Sequence, residues 1–181
     1  MTPLELRTIS ARGLLNVAAA KPGELESVMG ILAEASADLV QRGIQQWPSP
    51  PSPAFRSLIE QQIALRQVYL ARLAGSRELA GTVRFTWSYE SVWPEDPESA
   101  GYVHTLAIRP ALRGRQLGVA LLAWAAGHVR AYPRRLLRLD CLAGSRPLRQ
   151  YYERLGFADR GLAAIDGYEL ARYELDLQAE I

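Results

Sequence analysis

Cysteine is nearly absent from this chain: Cys141 is the only one among 181 residues, so no disulfide can form within the chain. Long apolar runs are absent as well. The longest, around residues 117–126, falls far short of the roughly 20 residues that a membrane-spanning helix needs. The N-terminal residues lack the apolar core of a signal peptide. These absences predict a cytoplasmic protein that does not insert into a membrane.

The chain as a whole also lacks a large excess of charge of one sign, since it has 21 basic and 19 acidic residues. The resulting net charge of +2 argues against the extended basic surface of a nucleic-acid-binding protein. Residues 109–160 depart from this balance, because they contain eleven arginines and only three acidic residues. A local excess of this kind suits a ligand with several phosphates, although arginines on solvated helix faces would produce it too.

Apolar residues are abundant, at 49% of the chain, which is enough to bury one sizeable core. We therefore expect a single domain over residues 1–181, with its core at about 14–176. Apolar alternation of period two and periodicity of 3.6 residues indicate strands and helices in succession, the pattern of the α/β class. Strands are predicted over about 14–18, 67–73, 82–88, 102–108, 136–142, 157–163 and 168–175, and helices over about 22–41, 54–65, 117–126 and 145–155.

The most informative segment is residues 102–122, where a buried-type strand is followed by a basic turn and an amphipathic helix. The first turn of a helix has backbone amides without partners and the positive end of the helix dipole, so a phosphate binds there if the chain allows close approach. Gly114 in the turn and Gly118 in the helix allow it. Because a strand over 136–142 follows the helix, the two strands are expected to pair in parallel, with a ligand at their carboxyl ends.

Two separated motifs carry a family resemblance. Residues Arg113–Gly118, which read Arg-Gly-Arg-Gln-Leu-Gly, are similar to the Arg/Gln-x-x-Gly-x-Gly/Ala pyrophosphate loop of the GNAT superfamily of N-acetyltransferases. Residues Ser145–Phe157 are similar to that family's Asn-x-x-Ala-x-x-x-Tyr-x-x-x-Gly-Phe helix. The resemblance covers essentially residues 14–176. It implies a mixed, mostly antiparallel twisted sheet with helices on both faces and a splayed parallel strand pair, with acetyl-CoA as cosubstrate and no metal.

The resemblance also implies which residues bind coenzyme A. Arg113 and Arg115 flank the loop and can add charge-assisted hydrogen bonds to its backbone amides. Gln116 stands where the family usually has its first loop glycine, and a glutamine is tolerated there if its φ is negative. Ser145 replaces the usual asparagine, and its expected role is that of a helix N-cap. The implied coenzyme-binding set is Leu106, Ala107, Ile108, Arg113, Gly114, Arg115, Gln116, Leu117, Gly118, Val119, Ala120, Ser145 and Tyr152.

The base of such a reaction must take a proton from the acceptor, because an alkyl ammonium has a pKa near about 10.4 and is not nucleophilic. His104 is the first candidate, since an imidazole with a pKa of about 6.5 accepts a proton at neutral pH. Alternation places His104 on the strand face shared with Tyr102 and Leu106. A histidine that only packs in the sheet is the alternative. Glu90 is the rival base, unless it is a solvated loop carboxylate.

The leaving thiolate needs a proton or a hydrogen bond. Tyr152 matches the family tyrosine beside the sulfur of coenzyme A, where a phenol can supply either. The oxyanion is expected to meet a backbone amide near residues 106–108. Cys141 is expected to be a core residue, since direct transfer needs no covalent acyl-enzyme.

Aromatic residues are the candidates for the acceptor pocket. They are Trp47, Trp87 and Trp93, although Trp87 could equally pack in the core. Acidic residues at 90, 95, 96 and 98 favour an amine that carries positive charge. The sequence leaves open a small-molecule or a peptide amine, and a monomer or a homodimer.

Two other functions fit parts of the sequence. A non-catalytic acyl-CoA-binding regulatory domain would keep the loop and lack an acceptor, so it would release no thiol in the presence of any amine. A nucleotide or nucleic-acid phosphate binder would use the same basic loop. The sequence lacks the Gly-Lys-Ser/Thr of a P-loop, which counts against this second function.

Overall fold

The computed structural model describes residues 14–44, 49–94 and 99–178. Its elements are, in chain order, β1 (Leu15–Ala19), α1 (Leu25–Gln41), α2 (Pro53–Ala64), β2 (Val68–Leu73), β3 (Leu79–Thr86), β4 (Ala100–Ile108), α3 (Leu117–Arg130), β5 (Leu136–Leu142), α4 (Arg146–Arg154), β6 (Ala158–Ile165) and β7 (Tyr168–Asp176). Short 3₁₀ turns precede α1 at Pro22–Glu24 and follow β4 at Pro110–Leu112.

The strands form one mixed sheet in the order β1-β2-β3-β4-β5-β7-β6. The pairs β1–β2, β2–β3, β5–β7 and β6–β7 are antiparallel, whereas β4 and β5 are parallel. The mixed α/β class, the mostly antiparallel sheet and the parallel pair are therefore confirmed. The parallel pair follows from the strand–helix–strand order of β4, α3 and β5.

The chain divides into two compact units. The first, here called the N-terminal unit, contains the described residues within 10–85 and 105–121; the second, the C-terminal unit, contains those within 86–104 and 122–178. Strand β4 and helix α3 contribute residues to both. The expectation of a single domain stays a prediction.

The N-terminal unit has its core between α1, α2 and β2. Val28, Leu32, Ile59 and Leu70 are each at most 2% exposed and belong to one apolar cluster. Burying a side chain of this size contributes about 1.5–3 kcal/mol relative to leaving it in water. The predicted start of α2 is confirmed, because the Ser52 hydroxyl accepts a hydrogen bond from the Phe55 amide at 3.1 Å.

The C-terminal unit is built on β5 and β7. Leu137, Leu139, Tyr173 and Leu175 are almost fully buried, and the two strands pair from Leu136↔Asp176 to Leu142↔Leu170. The hairpin predicted around Asp166-Gly167 is confirmed, with both residues at positive φ (50° and 80°), as the tight turn between two right-twisted strands requires.

Strand β3 differs from the prediction of 82–88. It begins earlier, because Leu79 pairs with Arg72 of β2, and it ends at Thr86. The end has a local cause: the Thr86 hydroxyl donates to the Ser88 carbonyl at 3.0 Å, which turns the chain away from the sheet. Trp87 and Ser88 therefore lie beyond the strand.

Candidate active site

The parallel pair β4–β5 is short. Its register runs from Ala100↔Leu136 to Val103↔Leu139, although β5 continues to Leu142 and β4 to Ile108. Thr105 has φ 46°, a left-handed conformation that a β-branched residue rarely adopts. Backbone strain of this kind marks functional positions more often than ordinary ones. The pairing thus ends two residues before this strained position.

His104 is the last residue before this strained position. Its Nε2 lies 2.9 Å from the Thr86 hydroxyl, and its ring meets the Tyr89 ring edge-on at a centroid distance of 4.4 Å. Tyr89 also contacts Tyr102, so Tyr102 and His104 share a face of β4 as predicted. The left-handed Thr105 interrupts the alternation before Leu106. His104 is half-buried and held between two neighbours.

Asp140 is a residue that sequence reasoning missed. Arg138 of β5 donates a hydrogen bond to the hydroxyl of its register partner Tyr102 of β4 at 3.2 Å, so the two side chains lie on the same face of the sheet. Asp140 and His104 are each two residues further along these strands and therefore lie on that face too. Burial raises the pKa of the Asp140 carboxyl to about 6. The available signal was an acid in an otherwise apolar strand, Leu-Leu-Arg-Leu-Asp-Cys-Leu. A half-buried carboxylate just past the end of the parallel pairing is a candidate proton acceptor or ammonium ligand.

Tyr152 is positioned by an aromatic cluster in the C-terminal unit. Its ring lies 5.7 Å from that of Tyr173 and 5.9 Å from that of Phe157, measured between centroids. Burial raises the pKa of the phenol well above its usual range, so the hydroxyl keeps its proton at neutral pH. A neutral phenol in this position can donate a hydrogen bond or a proton, as predicted for Tyr152.

Cys141 is buried among core residues. Burial, with the negative charge of Asp140, raises the pKa of the thiol to about 12, so the thiolate form is scarce at neutral pH. The side chain therefore has the properties of a core residue and not of a nucleophile.

Ser145 occupies the N-cap position of α4 but makes no capping hydrogen bond through its side chain. The prediction of a capping hydroxyl is wrong in this respect, because ψ at Ser145 is 74° and the residue is not fully extended. Within the described part of the chain its Oγ is buried and finds no hydrogen-bond partner. A buried hydroxyl without a partner costs free energy, so this atom suits a polar group of a ligand.

The predicted phosphate loop lies in the N-terminal unit. Gly114 has φ 80° and Gln116 has φ 57°, and the first helical hydrogen bond runs from the Ala120 amide to the Gln116 carbonyl at 3.0 Å. The amides of residues 117–119 therefore precede the hydrogen-bond ladder of α3, as an anion site requires. The condition of a negative φ at Gln116 is not met, because the turn into α3 has a left-handed residue at this position although it is not a glycine.

Two arginines, one before this loop and one within it, pair with acidic residues of α1. The Arg109 guanidinium contacts Glu34 at 2.7 Å, and that of Arg113 contacts Asp38, four residues further along the helix. Arg115 is exposed. Exposed ion pairs of this kind are weak because water screens them. A pyrophosphate can therefore compete with Asp38 for Arg113.

The predicted acceptor residues have different surroundings. Trp93 is buried, with the Arg138 guanidinium 4.8 Å from its ring centroid. The Trp87 ring stacks on His128 at 5.5 Å. Glu90 is exposed in the turn after β3. Trp47 and the acidic positions 95, 96 and 98 lie outside the described residues.

The remaining coenzyme-binding candidates lie at the end of β4 and the start of α3. Ala107 is buried, and residues 106 and 108 are half-buried.

No described helix is long and apolar enough to cross a membrane. Among the residues that the structure describes, no group of three or more His, Cys, Asp and Glu side chains could hold a metal ion.

Known proteins are similar to this chain in sequence and in fold. The N-acetyltransferase YesJ of Bacillus subtilis, itself named as uncharacterized, is 29% identical in an alignment of 163 residues, and the match covers 87% of this chain and 87% of YesJ. A GNAT acetyltransferase of Listeria monocytogenes is similar in structure, with 25% identity, a TM-score of 0.68 and coverage of 92% of this chain and 99% of that one. A GNAT acetyltransferase of Streptococcus agalactiae has 22% identity and a TM-score of 0.72, and the match covers 90% of this chain and 95% of that one. The ribosomal L7/L12 α-N-protein acetyltransferase RimL, solved with coenzyme A, has 18% identity and a TM-score of 0.67, and the match covers 95% of this chain and 99% of that one.

The open, mostly antiparallel sheet with its short parallel pair is shared with these GNAT structures, and the sequence relationship to N-acetyltransferases supports an acyl-CoA-dependent acetyltransferase. The model of the acetyltransferase (GNAT) family matches residues 33–157. The chain belongs to this family.

Proposed function

We propose that the protein transfers the acetyl group of acetyl-CoA directly to a primary amine within a ternary complex. The observation that carries the proposal is the loop at the start of α3, where the left-handed Gly114 and Gln116 precede three amides outside the helical ladder. Such an arrangement binds a pyrophosphate. Arg113 and Arg115 add positive charge there, and the hydroxyl of Ser145 offers a hydrogen bond to the pantetheine arm.

His104 is the proposed base. It takes the proton of the acceptor ammonium, directly or through a water, so that the neutral amine can attack the thioester carbon. Asp140, on the same sheet face, adds a carboxylate that favours a cation nearby. Glu90 is exposed, which supports His104 over Glu90 in this role.

Tyr152 is the proposed partner of the leaving sulfur. As the C–S bond breaks, its phenol donates to the thiolate, and the burial that keeps this phenol protonated supports that assignment. Backbone amides at residues 106–108 are the proposed donors to the oxyanion.

The acceptor is proposed to be a small-molecule or peptide amine, with Trp47, Trp87 and Trp93 near it. RimL is named for acting on a protein α-amine, so a peptide N-terminus belongs among the acceptors to be tested. The cytoplasmic location, the choice between monomer and homodimer and the absence of nucleic acid and metal stay predictions.

The experiment is thiol release from acetyl-CoA in the presence of pooled amines: aliphatic monoamines and polyamines, amino acids, aminoglycosides and short peptides with free N-termini. We expect at least one pool to exceed the amine-free control, and Tyr152→Phe to reduce that excess. Binding of acetyl-CoA without release from any pool would support the non-catalytic acyl-CoA-binding domain instead.

A further inference from the structure

The Thr86 hydroxyl connects two polar groups. Thr86 is 6% exposed at the end of β3, and its Oγ1 lies 2.9 Å from His104 Nε2 and 3.0 Å from the carbonyl oxygen of Ser88. Both distances are normal for hydrogen bonds. The two contacts together therefore constrain where the protons are.

A threonine hydroxyl has one proton to donate and lone pairs with which to accept. The Ser88 carbonyl can only accept, so the Thr86 proton belongs to that bond. Both bonds form at once only if His104 Nε2 carries a proton and donates it to Thr86. A neutral imidazole has one N–H, so its lone pair is then on Nδ1.

We propose that Thr86 is a positioning residue, which holds neutral His104 as the Nε2–H tautomer and so makes Nδ1 the atom that accepts the acceptor's proton. The proposal rests on the proposed role of His104 as the base. When Nδ1 takes the proton, the ring becomes an imidazolium, and the Nε2–H bond to Thr86 stays in place and stabilises it. Tyr89, edge-on to the ring at 4.4 Å, limits rotation of the imidazole.

The residues beside Thr86 explain why its hydroxyl keeps this orientation. Ser88 is two positions further on, so the turn that ends β3 brings its carbonyl to the hydroxyl. Valine has the shape of threonine without the hydroxyl, and serine has the hydroxyl without the methyl group. Thr86→Val and Thr86→Ser therefore separate hydrogen bonding from packing.

The direct test is the ¹⁵N spectrum of the histidine rings in the ligand-free protein near pH 8. The chain has two histidines, so His104→Gln identifies the signals of His128 by elimination. We expect His104 of the wild type and of Thr86→Ser to show Nε2–H, and Thr86→Val to lose this preference. A wild-type His104 protonated at Nδ1, or a Thr86→Val spectrum equal to that of the wild type, would overturn the proposal.

Kinetics give the second readout. We expect Thr86→Val to lower kcat at neutral pH by roughly tenfold, with little change in the KM for acetyl-CoA, and Thr86→Ser to recover most of the loss. Equal thermal unfolding of the two variants controls for packing. If Thr86→Ser loses as much activity as Thr86→Val, the hydroxyl does not preserve the activity and the proposal is wrong.

The His104→Gln variant separates this proposal from the proposed base. Full activity of His104→Gln would remove His104 from the mechanism, and the role of Thr86 would fall with it. An inactive His104→Gln beside a fully active Thr86→Val would leave His104 as the base and overturn the role of Thr86 alone.

Discussion

Replacing Asp140 by asparagine should stabilise the folded protein at alkaline pH and have much less effect in mild acid. Burial raises the pKa of this carboxyl from 3.8 to about 6 in the folded state. Between these two values the folded protein binds more protons than the unfolded chain, so its stability falls as the pH rises. Below 3.8 both states are protonated and the carboxyl costs nothing; above about 6 the full cost applies.

The magnitude follows from the two pKa values. At 1.36 kcal/mol for each tenfold change in proton affinity, the full cost is about 3 kcal/mol. The same linkage gives a cost to the free energy of unfolding of about 1 kcal/mol at pH 4.5. Asparagine has no charge to bury. The free energy of unfolding of Asp140→Asn should therefore exceed that of the wild type by these amounts, less whatever the amide loses in hydrogen bonding.

The assay is urea unfolding of the wild type and Asp140→Asn at pH 4.5, 6 and 8. Glu90→Gln is the matched control, since it removes the same charge from an exposed side chain and should show no comparable rise with pH. A gain that is the same at all three values would refute the reasoning. So would a loss of stability at pH 8, because the carboxylate would then be charged and compensated in the folded protein.

Four further predictions concern the loop and the leaving group. Gln116→Gly should raise the free energy of unfolding by up to about 1 kcal/mol, because glycine adopts a positive φ without a Cβ clash. Urea unfolding measures this difference, and a clear decrease in the free energy of unfolding would mean that the glutamine side chain is needed. Arg113→Ala should raise the KM for acetyl-CoA by roughly tenfold with kcat little changed, as expected for a lost charge-assisted phosphate contact. Asp38→Asn, which releases Arg113 from its ion pair, should lower that KM, and an increase would contradict the competition between Asp38 and pyrophosphate. Tyr152→Phe should lower kcat by about a hundredfold, the lower end of the usual range of acid catalysis, and steady-state rates equal to those of the wild type would exclude the phenol as donor.

The regular parts of the fold are readable from the sequence because their causes are local. The bounds of β5, Leu136–Leu142, match the predicted strand, since a short apolar run is bounded by turn residues on both sides. The Asp166-Gly167 turn and the Ser52 cap are also local, as each depends on the conformational preferences of one or two residues. These features were predicted correctly for that reason.

The details of the candidate site depend on contacts that sequence patterns do not contain. Nothing in a threonine predicts the left-handed φ of Thr105, and glutamine is a poor candidate for the positive φ of Gln116. Both conformations are imposed by the surrounding structure. The raised pKa of Asp140 likewise arises from burial by residues distant in sequence, so only the position of an acid in an apolar strand could have drawn attention to it.

The central claim is that the acetyl group moves directly from acetyl-CoA to an amine. Mass spectrometry after incubation with carbon-13-labelled acetyl-CoA, with and without the amine pools, tests it most directly. We expect labelled amide in an amine product, free coenzyme A in equal amount, and no label on the protein when amine is omitted. Labelled protein that later passes its acetyl group to the amine, or bound acetyl-CoA with no labelled product from any pool, would contradict it.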